Sequence, residues 1–587
     1  MKKGYQKSIA VLLIILMITM LGACGSTPGS SSKPSPESAA PSSTNSAAPS
    51  SDTAPDITPV TVTVACAPGV MADWNNYQNS GVQEEMKRLT GITFEYVDMD
   101  PAKFKVLMAS GDLPDIVDLN AGQGYSKDDL IKSGNLIQLD DLMPEYAKNI
   151  MSIMPTSIEF SKKFWSTGDG HLYFIPRQVG VDGAPQEISI GAYIRWDYYK
   201  ELGYPAVNSV DDLLNVLVQM TKAHPTADNG KKTYGVSGFT DWGMSYEFSY
   251  LIEALYGYFL VNNTISVENS TNTAMNNYLD TNSPYWRTVD FFYKANKLGI
   301  FDKDALTQKN DDYIAKIEAG QTLMSEANWN IGNFNTDNAK DGVGFMNLPI
   351  PGMNCWNGMS PSAGWTLASC AITKNCKHPE RALQLLDFTA SYDGARLLYS
   401  GVKGKEWDVV NGTPTLTDST LKAKQVSGEE WKSLCLSVPL NFMGISPFTI
   451  NPQDNTVVNL FNSPEVFRSS LTALQQDYCD HYGATYPTEV FTKLMAEGKM
   501  KDQSNFDRDI QNAMKGLSDD LKLTDANLVE IATGDFAKCV LSKDDAEYAN
   551  NQANAINDLK SAGADKIGEY CINAWNEAKA EIESIKK

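Results

Sequence analysis

Histidine is nearly absent from this 587-residue chain: four residues, His171, His224, His378 and His481, with no ligand spacing among them. The nine cysteines include no CxxC pair, so a zinc site built on Cys or His has no sequence basis. Basic residues are also short, 49 Lys and Arg against 71 Asp and Glu, for a net charge of −22. Nucleic-acid binding draws on counterion release at a basic surface, and docking on anionic lipid draws on a polybasic face; this composition argues against both. No GxSxG occurs, since Gly243-Met244-Ser245-Tyr246-Glu247 lacks the second glycine, and there is no GxxxxGK[ST] phosphate loop. Paired acids of the glycosidase kind are plentiful, but in so acidic a chain most such pairs are solvated surface. What remains is 42% hydrophobic and 10% aromatic residues, enough for a sizeable core in two or three domains.

The N-terminus is a processing signal. Lys2, Lys3 and Lys7 precede an apolar run, Ile9 to Met20, about as long as a signal-peptide core and short of a membrane span. It ends in Leu21-Gly22-Ala23-Cys24, which matches the lipobox of bacterial lipoproteins. In that family residues 1–23 would be removed and Cys24 would carry a diacylglyceryl group, a two-chain anchor that is stable where one chain is marginal. Residues 24–60 are dominated by Ser, Pro, Ala and Thr and are expected to form a disordered tether. The eight cysteines beyond Cys24 are sparse in a large domain, and both free thiols and one or two bridges are compatible with them.

From Thr61 the pattern becomes regular. Thr61 to Ala65 (TVTVA), Ile92 to Val97 (ITFEYV) and Ile116 to Leu119 (IVDL) read as strands, separated by helices ended by Gly91 and Gly111. This alternation predicts a parallel α/β sheet. Ser126 with Asp129 and Ser209 with Asp212 read as helix starts, as does Pro379. Beyond Asp477 the chain reads as helix-rich.

Five segments in order then resemble one family. They are Leu107–Ile116 (LMASGDLPDI), Asp169–Pro176 (DGHLYFIP), Tyr193–Gly203 (YIRWDYYKELG), Lys377–Tyr392 (KHPERALQLLDFTASY) and Gly401–Trp407 (GVKGKEW). Together they resemble the bacterial extracellular solute-binding proteins of sugar-type ABC transporters, in particular the large lipoproteins of Firmicutes. The resemblance implies a two-lobe α/β fold that closes on a ligand about a hinge. Lobe one would comprise 61–180 and 350–393, and lobe two 181–349 and 394–587. It further implies a monomeric receptor at the cell surface, held to the membrane through lipid alone, that captures a carbohydrate, foremost an oligosaccharide, and hands it to an ABC permease without catalysis and without a cofactor. Some relatives carry a calcium loop before a Tyr-Gly pair in lobe two. Here Asp228 and Asn229 are followed by two lysines, too few oxygens for Ca²⁺, and a plain turn is expected.

Sugar rings stack on aromatic faces, and their hydroxyls need fixed donors and acceptors. The candidates are Asp73, Trp74 and Asn75 after the first strand, Asn120 ending the third, Trp242 in a loop, Trp329 and Asn330, Trp365 in a Gly/Ser/Pro-rich loop, and Trp407. Trp165, Trp286 and Trp575 sit in apolar, helical settings and are expected in the core. Arg195 and Asp197 are expected to pair with each other. Three rival readings stand beside the sugar receptor: a peptide-binding lipoprotein, a secreted glycan hydrolase, and a sensor or adhesin module.

Overall fold

The computed structural model describes residues 57–66, 74–120, 127–177, 179, 188–241, 249–355, 368–426, 428–436, 444–502 and 507–585. Cys24 and its flanks lie outside them. Among the described residues no helix is long and apolar enough to cross a membrane.

The alternating segment at the start forms β1 (Val60–Cys66), followed by α1 (Gly81–Thr90), β2 (Ile92–Asp98), α2 (Pro101–Ser110) and β3 (Ile116–Asn120). Local chemistry sets the helix ends. The Ser80 hydroxyl accepts the Gln83 N–H at the start of α1, and the Asp100 carboxylate accepts two N–H groups at the start of α2. Gly91 and Gly111 end them in the left-handed conformation, at φ of 70° and 80°. Farther on come α3 (Pro155–Phe164) and β4 (Ile175–Pro176).

The second group of elements opens with β5 (Ile190–Arg195) and α4 (Val210–Ala223). The Ser209 side chain caps α4, whose buried face is Leu213, Leu214, Val216, Leu217 and Met220 as the spacing predicts. There follow α5 (Tyr250–Tyr256), α6 (Pro284–Lys297), α7 (Asn310–Glu318), β6 (Met324–Ala327), α8 (Asn328–Asn338) and β7 (Phe345–Asn347). The chain then returns through β8 (Ala368–Ile372), α9 (Pro379–Ala390) and α10 (Tyr392–Ser400). Its last part is helical as expected: α11 (Ala473–Tyr482), α12 (Asp519–Val540), α13 (Asp545–Ser561) and α14 (Ala564–Ile585) are its main helices.

These elements make two sheets. The first has the order β2-β1-β3-β8-β4, with β1 parallel to β2 and β3, and β8 antiparallel between β3 and β4. The second is β7-β5-β6, antiparallel throughout. One face of the first sheet buries Val62, Val64 and Ile116 against Leu383, Leu386 and Leu398 of α9 and α10. Its other face buries Val117 and Leu119 with Phe104 and Phe160. Trp165, Trp286 and Trp575 are core residues, and Arg195 is bidentate to Asp197 at 2.9 and 2.6 Å. All eight cysteines beyond Cys24 are free thiols, and all but Cys376 are buried.

The packing departs from expectation for residues 394 onward. Ala395, Leu397, Leu398, Tyr399, Val402, Cys435, Ile445 and Val458 share the core of the first sheet, not of the second. The reason is a tight turn. Only Ser391 separates α9 from α10; its hydroxyl accepts the Gly394 N–H at 2.9 Å and folds α10 back along α9. A Cβ at Gly394 would lie 1.9 Å from the Phe388 carbonyl oxygen, so the turn requires glycine. Gly394→Ala is expected to cost about 1–3 kcal/mol through strain there, read as a lower midpoint in urea unfolding; an unchanged midpoint would refute the account. The chain rejoins the second group at α11, which packs beside β5's neighbours through Trp196.

Candidate functional site

Strand direction defines where a ligand can enter. In the first sheet the carboxyl ends of β1, β3 and β4 lie on one edge, with the amino end of β8 among them. The chain leaving β4 enters the second sheet at the amino end of β5, beside the carboxyl end of β6: Ile190 pairs with Ala327, and the Asn328 N–H donates to the Ser189 carbonyl. The return path leaves from the carboxyl end of β7, on the same side, and arrives at the amino end of β8. Two connections thus join one edge of each sheet. Ligands of open α/β sheets bind at such carboxyl edges.

Trp329 stands at that edge of the second sheet. It is the second residue of α8, directly after β6, and 44% exposed, unusually open for an indole. The Tyr250 ring, from the first residue of α5, meets it at right angles, centroids 6.2 Å apart. A small hollow of about 20 Å³ beside them is lined by Ile190, Tyr250, Glu253, Ala254, Tyr258 and Phe259. An open aromatic corner of this kind offers one ring face and one ring edge to the C–H surface of a sugar.

The support beneath this corner is polar and buried. Glu326, in β6, accepts a hydrogen bond from the Tyr313 hydroxyl on one oxygen and from the Asn330 amide on the other, each at 2.8 Å. Glu253, in α5, accepts from the Ser249 hydroxyl and from the Leu260 N–H. Burial pushes both carboxyls up to about 7, against the pull of those hydrogen bonds. Sequence reasoning missed Tyr250, Glu253 and Glu326. The available signal was Glu326 itself, an acid inside the otherwise apolar or small run Leu323–Ala327.

The other candidates divide. Asn330 is only 2% exposed and directs its amide nitrogen into the protein toward Glu326, so it supports Trp329 and does not face solvent beside it. Trp407 is a packing residue: its N–H donates to the Gly401 carbonyl at 2.9 Å, the Arg396 guanidinium lies over its ring, and it abuts Leu416 and Phe461. Asp73, Trp242 and Trp365 lie outside the described residues, as does Ser126. Trp74 and Asn75 begin a one-turn helix, Trp74–Tyr77, and Asn120 ends β3 at the carboxyl edge of the first sheet; their side chains are outside the described set. The segment after α4 is a turn, in which Gly230 N–H donates to Ala227 and the Asn229 side chain accepts the Lys231 N–H. A wider hollow of about 390 Å³ lies elsewhere, between α4, α5, α6 and α13. Its charges are already matched: Arg287 lies over Tyr256, and Lys294 pairs with Asp211 and Asp290.

Two sheets with their helices, discontinuous in sequence and linked by the chain between β4 and β5 and between β7 and β8, are the arrangement of the two-lobed class of periplasmic solute-binding folds. The chain belongs to the family described as "Bacterial extracellular solute-binding protein", whose model matches residues 75–396. It is 25% identical over 327 residues to the fructooligosaccharide ABC transporter substrate-binding protein FusA of Streptococcus pneumoniae, a match covering 54% of this chain and 56% of that protein. It is 24% identical over 359 residues to the lipoprotein LipO of Bacillus subtilis, covering 57% of this chain and 65% of the relative. These matches therefore span somewhat over half the length of the relatives. Among solved structures, the alginate-binding protein AlgQ2 is similar with a TM-score of 0.56 and 18% identity, covering 88% of this chain and 98% of that one. An HMO-binding, ABC-transporter-associated solute-binding protein of Bifidobacterium longum infantis has a TM-score of 0.55 and 15% identity, with 89% and 99% covered.

Proposed function

We propose that this chain is the receptor subunit of an ABC importer, capturing an oligosaccharide between its two bodies and delivering it to a membrane permease. The observation that carries this reading is Trp329: an exposed indole at the carboxyl end of β6, buttressed by Tyr250. The fructooligosaccharide, alginate and HMO specificities for which its relatives are named support a carbohydrate ligand. The work is binding and closure, not bond cleavage: ligand that contacts both bodies stabilises the closed arrangement over the open one. The lipobox at Cys24 and the Ser/Pro/Ala tether support a receptor anchored at the outer face of the cytoplasmic membrane.

A thermal-shift panel of monosaccharides, oligosaccharides and short peptides tests the assignment. An oligosaccharide present at about 100 times its Kd should stabilise the protein by about 2.7 kcal/mol. Stabilisation by peptides and by no glycan would overturn it.

A further inference from the structure

The helix that carries Trp329 starts without a side-chain cap: Ala327, in the cap position, has no side-chain acceptor for the first N–H groups of α8. Its first turn is held from inside instead. Asn330 is buried and donates to Glu326, and Glu326 is clamped in turn by Tyr313 from α7. Successive residues of a helix project about 100° apart. An anchor on Asn330 therefore fixes the direction in which its neighbour Trp329 leaves the helix, and with it the angle that the indole makes to Tyr250. Ile331 and Phe334, buried on the same helix, resist sliding along the axis, but neither opposes a small rotation as a directional hydrogen bond does.

We propose that Glu326 is the positioning residue for Trp329: its buried carboxyl, gripped by Tyr313 and gripping Asn330, sets the plane that the indole offers to the cleft. The consequence for sugar affinity rests on the function proposed above; the mechanical coupling does not.

The charge state of Glu326 is part of the device. Burial brings its carboxyl to about 7. As a carboxylate it can only accept, and it takes the Asn330 amide N–H. As an acid it has a proton to give, and Asn330 Oδ1 has no donor among the described residues. Protonation thus favours a turned amide and a shifted first turn. Tyr313 from α7 touches it directly, and the titratable and charged groups on the elements packed against β6 are Tyr193 and Arg195 of β5, Tyr250, Glu253 and Tyr256 of α5, and Asp337 of α8.

The test needs no ligand. The full chain is labelled with 5-fluorotryptophan, and the ¹⁹F line missing from Trp329→Phe is Trp329. That line should move between about pH 5.5 and about pH 8.5, with a midpoint near the raised carboxyl value. Glu326→Gln, which keeps the shape but cannot ionise, should abolish the movement. Glu253→Gln should leave it in place, and Glu326→Ala should shift and broaden the line as the turn loosens. A line that is unmoved by pH and unchanged in Glu326→Gln would overturn the proposal. So would a titration lost in Glu253→Gln and retained in Glu326→Gln. Since no sugar is present, either outcome is independent of whether Trp329 contacts a glycan.

Discussion

Trp329→Ala is expected to weaken oligosaccharide binding by about 1–3 kcal/mol, the worth of a ring stacked on an aromatic platform, which is roughly 5- to 150-fold in Kd. Apo stability should barely change, because a residue this exposed contributes little to the core; surface substitutions usually stay within about 0.5 kcal/mol. Trp329→Phe should recover part of the affinity, since the smaller ring keeps a face but covers less of the sugar. Calorimetric Kd and apo melting temperature, measured on the same variants, separate binding from folding. An affinity equal to wild type in Trp329→Ala would remove this residue from the site. A large apo loss with unchanged affinity would make it a structural residue.

The opposite pattern is expected at Trp196. This indole is almost wholly buried where a short helix, Trp196–Glu201, meets α11. Five rings surround it, those of Tyr199, Tyr204, Tyr478, His481 and Tyr482, with centroids 4.9 to 5.9 Å away. Its N–H donates to Asp477 at 2.8 Å, and the Tyr204 hydroxyl donates to the same oxygen. Trp196→Ala should therefore cost about 3–5 kcal/mol of folding stability, without a direct effect on ligand affinity in the folded fraction. Urea unfolding reads it, and a loss below about 1 kcal/mol would contradict the packing. Asp477 adds a pH dependence. Burial opposes its charge, but Lys200, Trp196 and Tyr204 together hold it below the usual carboxylate range. A depressed carboxylate stabilises the fold above its unfolded value of about 4 and loses that contribution as pH falls further through the folded value. Asp477→Asn should thus converge on wild-type stability in acid and fall behind it near neutral pH.

What was legible in the sequence was what the chain decides locally. The first three strands announce themselves by alternation or a short apolar run. Their helices are bounded by residues whose side chains or φ angles act within one turn, such as Ser80, Asp100, Gly91 and Gly111. The family resemblance rested on segments of that kind. The exposure of Trp329 was legible because an indole between asparagines is a poor core residue. Its support was not: Tyr313, Glu326 and Tyr250 come from three separate elements, and only tertiary folding brings them under one ring. The packing of Trp407 was not legible, for the converse reason. Its glycines and charges read as a loop end, but Gly401, at φ of 91°, turns its carbonyl toward the indole, and Arg396 from the preceding helix lies over the ring. The fate of residues 394–458 hung on one glycine at the α9–α10 turn, whose role appears only when Phe388 is seen behind it.

The place of β8 in the first sheet bears on how the protein is made. Cys370 of β8 lies against Asp118 of β3, 252 residues earlier in the chain. As the polypeptide emerges amino end first, β1, β2 and β3 can pair at once, but β3 then presents an open edge, and β4 has no neighbour to join. The place between β3 and β4 stays vacant until the whole span through β5, β6 and β7 has been made. Closing so long a loop is slow, and an unpaired strand edge invites the wrong partner meanwhile. During that interval the first sheet is waiting for a strand not yet delivered, so its folding is sensitive to the rate at which the chain appears and to whatever shields β3, and neither body can be expressed as a simple fragment cut from one stretch of the gene.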